Sequence, residues 1–321
     1  MKEILRIEGL KKYFPIKRGI FKRVVGYNKA VDNVNFSILE STVLGIVGES
    51  GSGKTTVGKT ILRLWEPTEG RIIFRGQDIS RLSRDDVKKL RTKMQIVFQD
   101  PLASLNPRMR LGKILERAIK INTSYKGSER RQRIVTLMEQ VGLLPEHYNR
   151  FPHELSGGQQ QRLGIARALA VEPDFIVLDE PTSALDVSVQ AQILNLLKNL
   201  QKNFNLTYLF ISHNLSVIDH LCGRIAVMYA GKIVEHADRD ELFKSSVHPY
   251  TLTLISSIPE IGRKKKEKRI MLKGEVPSSL DPPSGCRFHP RCFKRVENCS
   301  LDEPKLREIA PNHLVACHLA Q

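Results

Sequence analysis

Residues 42–64 read TVLGIVGESGSGKTTVGKTILRL, three segments of different character in one run. TVLGIVG (42–48) is a short apolar run with the length and composition of a buried strand, and KTTVGKTILRL (54–64) reads as a helix. Between them GESGSGKT, Gly48–Thr55, fits the spacing G-x-x-x-x-G-K-[ST] in the strand–turn–helix context that this pattern requires. Its small residues, Gly48, Ser50, Gly51, Ser52 and Gly53, let backbone N–H groups turn inward around phosphate oxygens, and the helix entered at Lys54, Thr55 and Thr56 adds its positive end. Lys54 is expected to reach β- and γ-phosphates and Thr55 to ligate Mg²⁺, which makes a nucleoside triphosphate the predicted ligand.

Strand and helix signals alternate on either side, the pattern of an α/β fold. Residues 3–9 predict a first strand, and the basic stretch PIKRGIFKRVVGYNK (15–29) a long hairpin or loop. Residues 110–170 carry apolar residues at three- and four-residue spacing, as helices do. FIVLDE (175–180) and YLFISH (208–213) are buried strands with polar ends, the position where open α/β sheets bind ligands. Beside a phosphate loop, FIVLDE gains meaning: Asp179 is placed to hold the magnesium shell and Glu180 to orient or deprotonate an attacking water. In LSGGQQQR, Leu155–Arg162, the backbone N–H groups of Ser156, Gly157 and Gly158 open a helix and form a second anion site.

These motifs, in this order, resemble the ATP-binding cassette (ABC) family of transport ATPases, whose signature is LSGGQ with Gln159 as its last residue. The resemblance covers residues 3–260. It implies a P-loop NTPase nucleotide-binding domain: a RecA-like core, an antiparallel β part, and a helical signature subdomain at about residues 100–170. By the same resemblance Phe14 stacks on adenine (Tyr13 being the alternative), Gln99 senses Mg²⁺ and faces a membrane partner, and Asp186, in SALD (183–186), crosses a dimer interface. His213 is the corresponding γ-phosphate switch, and Glu180 and His213 are the catalytic pair. In this family ATP is closed between the phosphate loop of one subunit and the signature of another, so a single cassette implies a second ATPase subunit, a paralogue or a second copy.

Composition is compatible with this reading. Of 321 residues 41% are apolar, none in a run long enough to span a bilayer, and MKEILRIEGL lacks the apolar core of a signal peptide. The expected location is the cytoplasmic face of the cell membrane, beside two separate permease subunits and an extracytoplasmic substrate-binding protein. QDPLASLNPRMR (99–110) and HPYTLTLISSIP (248–259) resemble segments of the oligopeptide and dipeptide importer ATPases, a subfamily that includes nickel importers and shares its C-terminal extension with some sugar importers. The formal charge of +17 also suits nucleic acid, but the chain has neither the paired cassettes nor the coiled-coil insertions of cassette proteins that act there, so no nucleic-acid partner is expected. RKKKEKR (263–269) reads as a solvated linker or a lipid-facing patch.

The remaining segment, residues 261–321, is expected to be a small extension with a site of its own. Cys286, Cys292, Cys299 and Cys317 are spaced C-x5-C-x6-C-x17-C, unlike the paired halves of common zinc sites. Four thiolates suit Zn²⁺ or a [4Fe–4S] cluster, with His289, His313 and His318 as possible substitutes. The peptide-importer ATPases that GEVPSSLDPPSGCRFHPRC (274–292) resembles include members with a [4Fe–4S] cluster on four such cysteines, and the resemblance implies the cluster here. Cys222 reads as a buried apolar thiol.

Overall fold

Twelve strands are present among the described residues of the computed structural model, which are 2–122, 125–258 and 270–320. The basic run 263–269 lies outside them. In chain order the strands are β1 (Glu3–Arg18), β2 (Arg23–Leu39), β3 (Val43–Val47), β4 (Glu69–Phe74), β5 (Gln77–Asp78) and β6 (Met94–Val97). They continue with β7 (Phe175–Asp179), β8 (Thr207–Ser212), β9 (Arg224–Tyr229), β10 (Lys232–Asp238), β11 (Arg307–Ala310) and β12 (His313–Val315). The chain divides into two compact units: Met1–Leu39, Val43–Arg81 and Ile211–Gln321 form the first, and Glu40–Thr42 and Leu82–Phe210 the second.

In the first unit β1 and β2 form a long antiparallel hairpin, from Glu3 opposite Leu39 to Arg18 opposite Arg23. The basic stretch 15–29 is therefore the end of a hairpin, its turn closed by Lys22 N–H donating to the Gly19 carbonyl. Strands β4 and β5 complete that sheet in the order β2-β1-β4-β5. A second sheet holds β3, whose five residues are all buried, as a strand covered on both faces must be. Here β3 pairs in parallel with β9, Leu44 opposite Arg224 through Val47 opposite Val227. Outward from β9 the order is β10, β12, β11. The C-terminal extension thus adds a hairpin to the edge of the sheet that carries the phosphate loop, with Glu235 opposite Val315 and His236 opposite Leu314.

Glu235 explains why the extension stays there. Its carboxylate is fully buried and accepts the backbone N–H groups of Val247 and His248, while the His313 ring Nε2 lies 2.8 Å from it. One side chain thereby pins the start of the helix Pro249–Ser256 and strand β12 together, and satisfies donors that would be costly to bury unpaired.

In the second unit β8, β7 and β6 neighbour one another in that order, with β6 and β7 parallel. The predicted helical stretch resolves into helices Leu111–Asn122, Gly127–Gln140 and Gly157–Leu169 with two short 3₁₀ turns between the last two. The guanidinium of Arg162 donates to the Val141 carbonyl at 2.6 Å and holds the third of these helices against the end of the second. Among the described residues no helix is long and apolar enough to cross a membrane.

Burial makes part of this fold acid-sensitive. His248 is 1% exposed, and burial lowers its pKa to about 3; His236 is lowered to about 3 as well, by burial first and then by Arg224. Both groups fold neutral. Their contribution is complete above the unfolded histidine value of about 6.5 and is lost as pH falls from there toward 3. Urea unfolding at pH 7.5, 5.5 and 4.5 is expected to give a falling midpoint, and His236→Gln to flatten that fall. An unchanged slope in the variant would contradict the neutral assignment of His236.

Candidate functional site

The turn after β3 is shaped by backbone contact. A Cβ on Gly48 would sit 2.0 Å from the Met228 carbonyl oxygen, and one on Gly53, at φ +102°, 2.1 Å from the Ala30 carbonyl oxygen. No side chain fits at either position, so the loop lies pressed onto β9 of its own sheet at one end and onto β2 of the four-stranded sheet at the other. Gly53 is the N-cap of the helix Lys54–Ile61, and no side chain caps that helix. Lys54 is 4% exposed, and its ammonium donates to the carbonyls of Gly48 and Glu49, both at 2.8 Å, and to Ser52 Oγ at 3.4 Å. Its charge therefore lies inside the loop, among Gly48–Ser52. Thr55 and Thr56 follow on the first helical turn, half-buried, while Ser50 and Gly51 are exposed.

The aromatic pair of β1 divides its tasks. Tyr13 donates its hydroxyl to Asp32 at 2.6 Å; burial, then that hydrogen bond, push the phenol well above its usual range. Phe14 is half-exposed, meets the Trp65 ring edge-on at 5.1 Å, and carries the Lys12 ammonium 4.9 Å from its centroid. Of the two, Phe14 is the ring left available for stacking. His213 follows directly on β8 and is exposed.

The second unit carries the acids and the signature. Asp179 ends β7 and is 5% exposed. Glu180, the next residue, has φ +47°, a left-handed backbone that bulky residues seldom adopt and that turns it sharply off the strand. Its carbonyl accepts from the N–H and hydroxyl of Ser183 at 3.3 and 3.1 Å, which holds the turn, and its carboxylate accepts from the Gln99 side-chain amide at 3.3 Å. Gln99 and Glu180, read separately in the sequence, are in contact. Ser156 caps the helix Gly157–Leu169 reciprocally: its hydroxyl accepts from Gln159 N–H, and the Gln159 side chain accepts from Ser156 N–H. Ser156 and Gly157 remain exposed, and a Cβ on Gly158 would meet Val189 at 2.6 Å. Asp186 is exposed at the N-cap of the helix Val187–Phe204.

Sequence reading did not find three contributors. Arg167 donates to the Ser104 carbonyl and hydroxyl, which ties the short helix Pro101–Ser104 after Gln99 to the signature helix. Tyr250 accepts the Glu49 backbone N–H at 2.8 Å. Arg291 pairs with the Glu49 carboxylate. All three join residues far apart in the chain, and no local spacing marks them.

The four cysteines of the extension converge. Each pair among Cys286, Cys292, Cys299 and Cys317 is close enough to interact electrostatically. Burial and then the neighbouring thiols push Cys286 up to about 11, and burial also raises Cys292 and Cys317. All four are free thiols, and among the described residues no three His, Cys, Asp or Glu side chains close into metal-holding geometry. The three histidines have other partners: His289 the Cys286 carbonyl, His313 the Glu235 carboxylate, His318 the Asp302 carbonyl.

Comparison with known proteins joins these parts. Residues 31–183 match the family model "ABC transporter", and residues 234–299 the model "Oligopeptide/dipeptide transporter, C-terminal region". The chain is 52% identical over 320 residues to the oligopeptide transport ATP-binding protein AppF of Bacillus subtilis, covering 98% of this chain and 97% of that protein. The chain belongs to the ABC transporter family. It is also 45% identical over 314 residues to the dipeptide transport ATP-binding protein DppF of Haemophilus influenzae, covering 98% and 96% of the two chains. The ATP-binding cassette MJ0796, solved as a dimer in a post-hydrolysis state with ADP and Pi, superposes with TM-score 0.66 at 32% identity over 74% of this chain and 99% of that one. The cbiO1 protein of Clostridium perfringens gives 0.66 at 28% identity over 76% and 92%. As an ABC protein the chain is an ATPase, built on the nucleotide-binding fold of its relatives.

Cys222 offers a check on the packing beside the phosphate loop. It is 3% exposed, burial pushes its thiol well above the usual range, and a Cβ on Gly45 of β3 would lie 2.9 Å from its sulfur. With the four tail cysteines replaced by serine, iodoacetamide at pH 8 is expected to label the denatured chain and spare the native one. Native labelling at the denatured rate would contradict this packing.

Proposed function

We propose that this ABC protein is the ATP-hydrolysing subunit of an importer for di- or oligopeptides, working at the cytoplasmic face of the membrane with permease subunits, a second ATPase subunit and an extracytoplasmic binding protein. The observation that carries the peptide reading is the C-terminal region. Residues 234–299 match the oligopeptide/dipeptide C-terminal model, and the hairpin that follows them is paired into the sheet that supports the phosphate loop. The full-length likeness to peptide transport proteins supports the same substrate class.

The residues then take these roles. Gly48–Thr56 bind the phosphates, with Lys54 on the β- and γ-oxygens, and Thr55, Asp179 and Gln99 around Mg²⁺. Phe14 stacks on the base. Ser156, Gly157, Gly158 and Gln159 of the partner subunit's equivalent signature close on the γ-phosphate, with Asp186 at the interface. Glu180 takes the proton of the attacking water, and His213 contacts the γ-phosphate. The contact of Gln99 with Glu180 supports a coupling of membrane partner to base through one hydrogen bond. Loss of the γ-phosphate removes the bridge between subunits, and the pair reopens.

Two experiments test this. Reconstituted with its membrane partners in liposomes, the chain should hydrolyse ATP faster when the binding protein carries peptide; stimulation by nickel or sugar instead would overturn the peptide assignment. Glu180→Gln should lower turnover by roughly 10²–10⁴-fold with ATP still bound, since only proton transfer is removed.

For the four thiols we propose a [4Fe–4S] cluster, supported by the convergence of all four sulfurs and the commitment of the nearby histidines elsewhere. Its chemistry there is that of a cross-link for a segment too short to build a core. Protein purified without oxygen should carry about four irons and four sulfides per chain. One zinc and no iron would replace the cluster with a zinc knuckle.

A further inference from the structure

Glu49 is the first variable residue of the phosphate loop, and the pattern assigns it no task. In the structure it is tethered through its carboxylate, its N–H and its carbonyl. Its carboxylate receives a two-pronged ion pair from Arg291 of the extension, Nη1 to Oε2 at 2.7 Å and Nη2 to Oε1 at 3.2 Å. Its backbone N–H donates to the hydroxyl of Tyr250, which is fully buried. Its carbonyl accepts from Lys54. Arg291 is itself held: its side chain is 8% exposed, Nη1 reaches the Tyr229 hydroxyl at 3.3 Å, and Tyr229 packs against Tyr250 and Phe288 with ring centroids 4.7 and 5.1 Å apart. A planar guanidinium gripping a carboxylate at both oxygens fixes direction as well as distance.

We propose that Arg291, supplied by the C-terminal extension, is a positioning residue of the ATP site: through Glu49 it holds the phosphate loop in the shape that binds nucleotide. The proposal rests on the reading of Gly48–Thr55 as the ATP phosphate loop. A second arginine of the extension points the same way. Arg287 donates to the Asp32 carboxylate and the Ala230 carbonyl, and Asp32 also takes the hydroxyl of Tyr13, the neighbour of Phe14. The extension thus grips the site at the phosphate loop and beside the aromatic pair.

The cost of ordering the loop is met before nucleotide arrives when the tether is intact, and is drawn from binding energy when it is cut. The effect should therefore fall on affinity before it falls on turnover. Trinitrophenyl-ATP binding is measured on the full-length chain carrying Arg291→Gln, Arg291→Lys, Glu49→Gln and the Arg291→Gln/Glu49→Gln pair, with thermal midpoints recorded alongside. Each Gln variant is expected to weaken binding roughly tenfold, and the pair no more than either alone, because both remove one interaction. Arg291→Lys keeps the charge but loses the fork and should fall between. In the assembled transporter the KM for ATP should rise more than kcat falls.

Wild-type affinity in Glu49→Gln, or losses that simply multiply in the pair, would overturn the proposal; so would an Arg291→Gln chain that melts earlier yet binds nucleotide normally. Should Arg291→Gln not fold, Arg291→Lys and Glu49→Gln carry the test. Lys54→Ala separates the two levels: it should abolish binding of the probe. Unchanged binding in Lys54→Ala would remove the phosphate-loop reading itself, whereas loss of binding there with no effect of Glu49→Gln would remove only the role given to Arg291.

Discussion

The closest constraint in this protein is the approach of the phosphate loop to two strands, β9 of its own sheet and β2 of the four-stranded sheet. Gly48 lies against the carbonyl of Met228 in β9 and Gly53 against that of Ala30 in β2, at distances that leave no room for a methyl group. A loop held so near a sheet has its backbone N–H groups aimed by the strands beneath it. Phosphate binding is then a property of where β3, β9 and β2 lie, and whatever fixes those strands fixes the site. Burial of the Lys54 ammonium inside the loop follows from the same closeness.

The extension gains its importance from that constraint. Through β12 it pairs with β10, the antiparallel neighbour of β9, and through Glu235 it shares a buried carboxylate with the start of the helix that carries Tyr250. Phe288, Tyr229 and Tyr250 form one aromatic cluster below Glu49. A segment of this size has little core of its own and relies on this shared packing. The cysteine region and the phosphate loop are therefore connected by a short run of residues, Cys292 to Arg291 to Glu49, although they are remote in sequence.

The placement of the candidate site's segments was legible in the sequence, because each is a short contiguous run. Gly48–Thr55, Asp179–Glu180 and Ser156–Gly158 each need a fixed order of residue types at a strand end or helix start, and each is found there. The alternation of β3, β7 and β8 with helices was equally visible, since strands buried on both faces read as unbroken apolar runs. Three features were hidden. The left-handed backbone of Glu180 leaves no mark in residue type, for nothing about a glutamate announces φ +47°. The tether from Arg291 joins residues 242 positions apart, and in sequence Arg291 is one cation in a very basic chain. The β11–β12 hairpin was hidden too, its strands being four and three residues long, too short to show a period.

Hydrogen exchange at the Glu49 amide tests most directly whether the loop is held by the aromatic cluster that the extension packs against. That N–H donates to the hydroxyl of Tyr250 in a buried setting, so in the wild-type chain it should exchange slowly. In Tyr250→Phe, which keeps the ring and removes the acceptor, it should exchange at least about tenfold faster while the amides of β3 keep their protection. Equal rates for Glu49 in both proteins would contradict the account, because the loop would then owe its shape to its own glycines and strands alone.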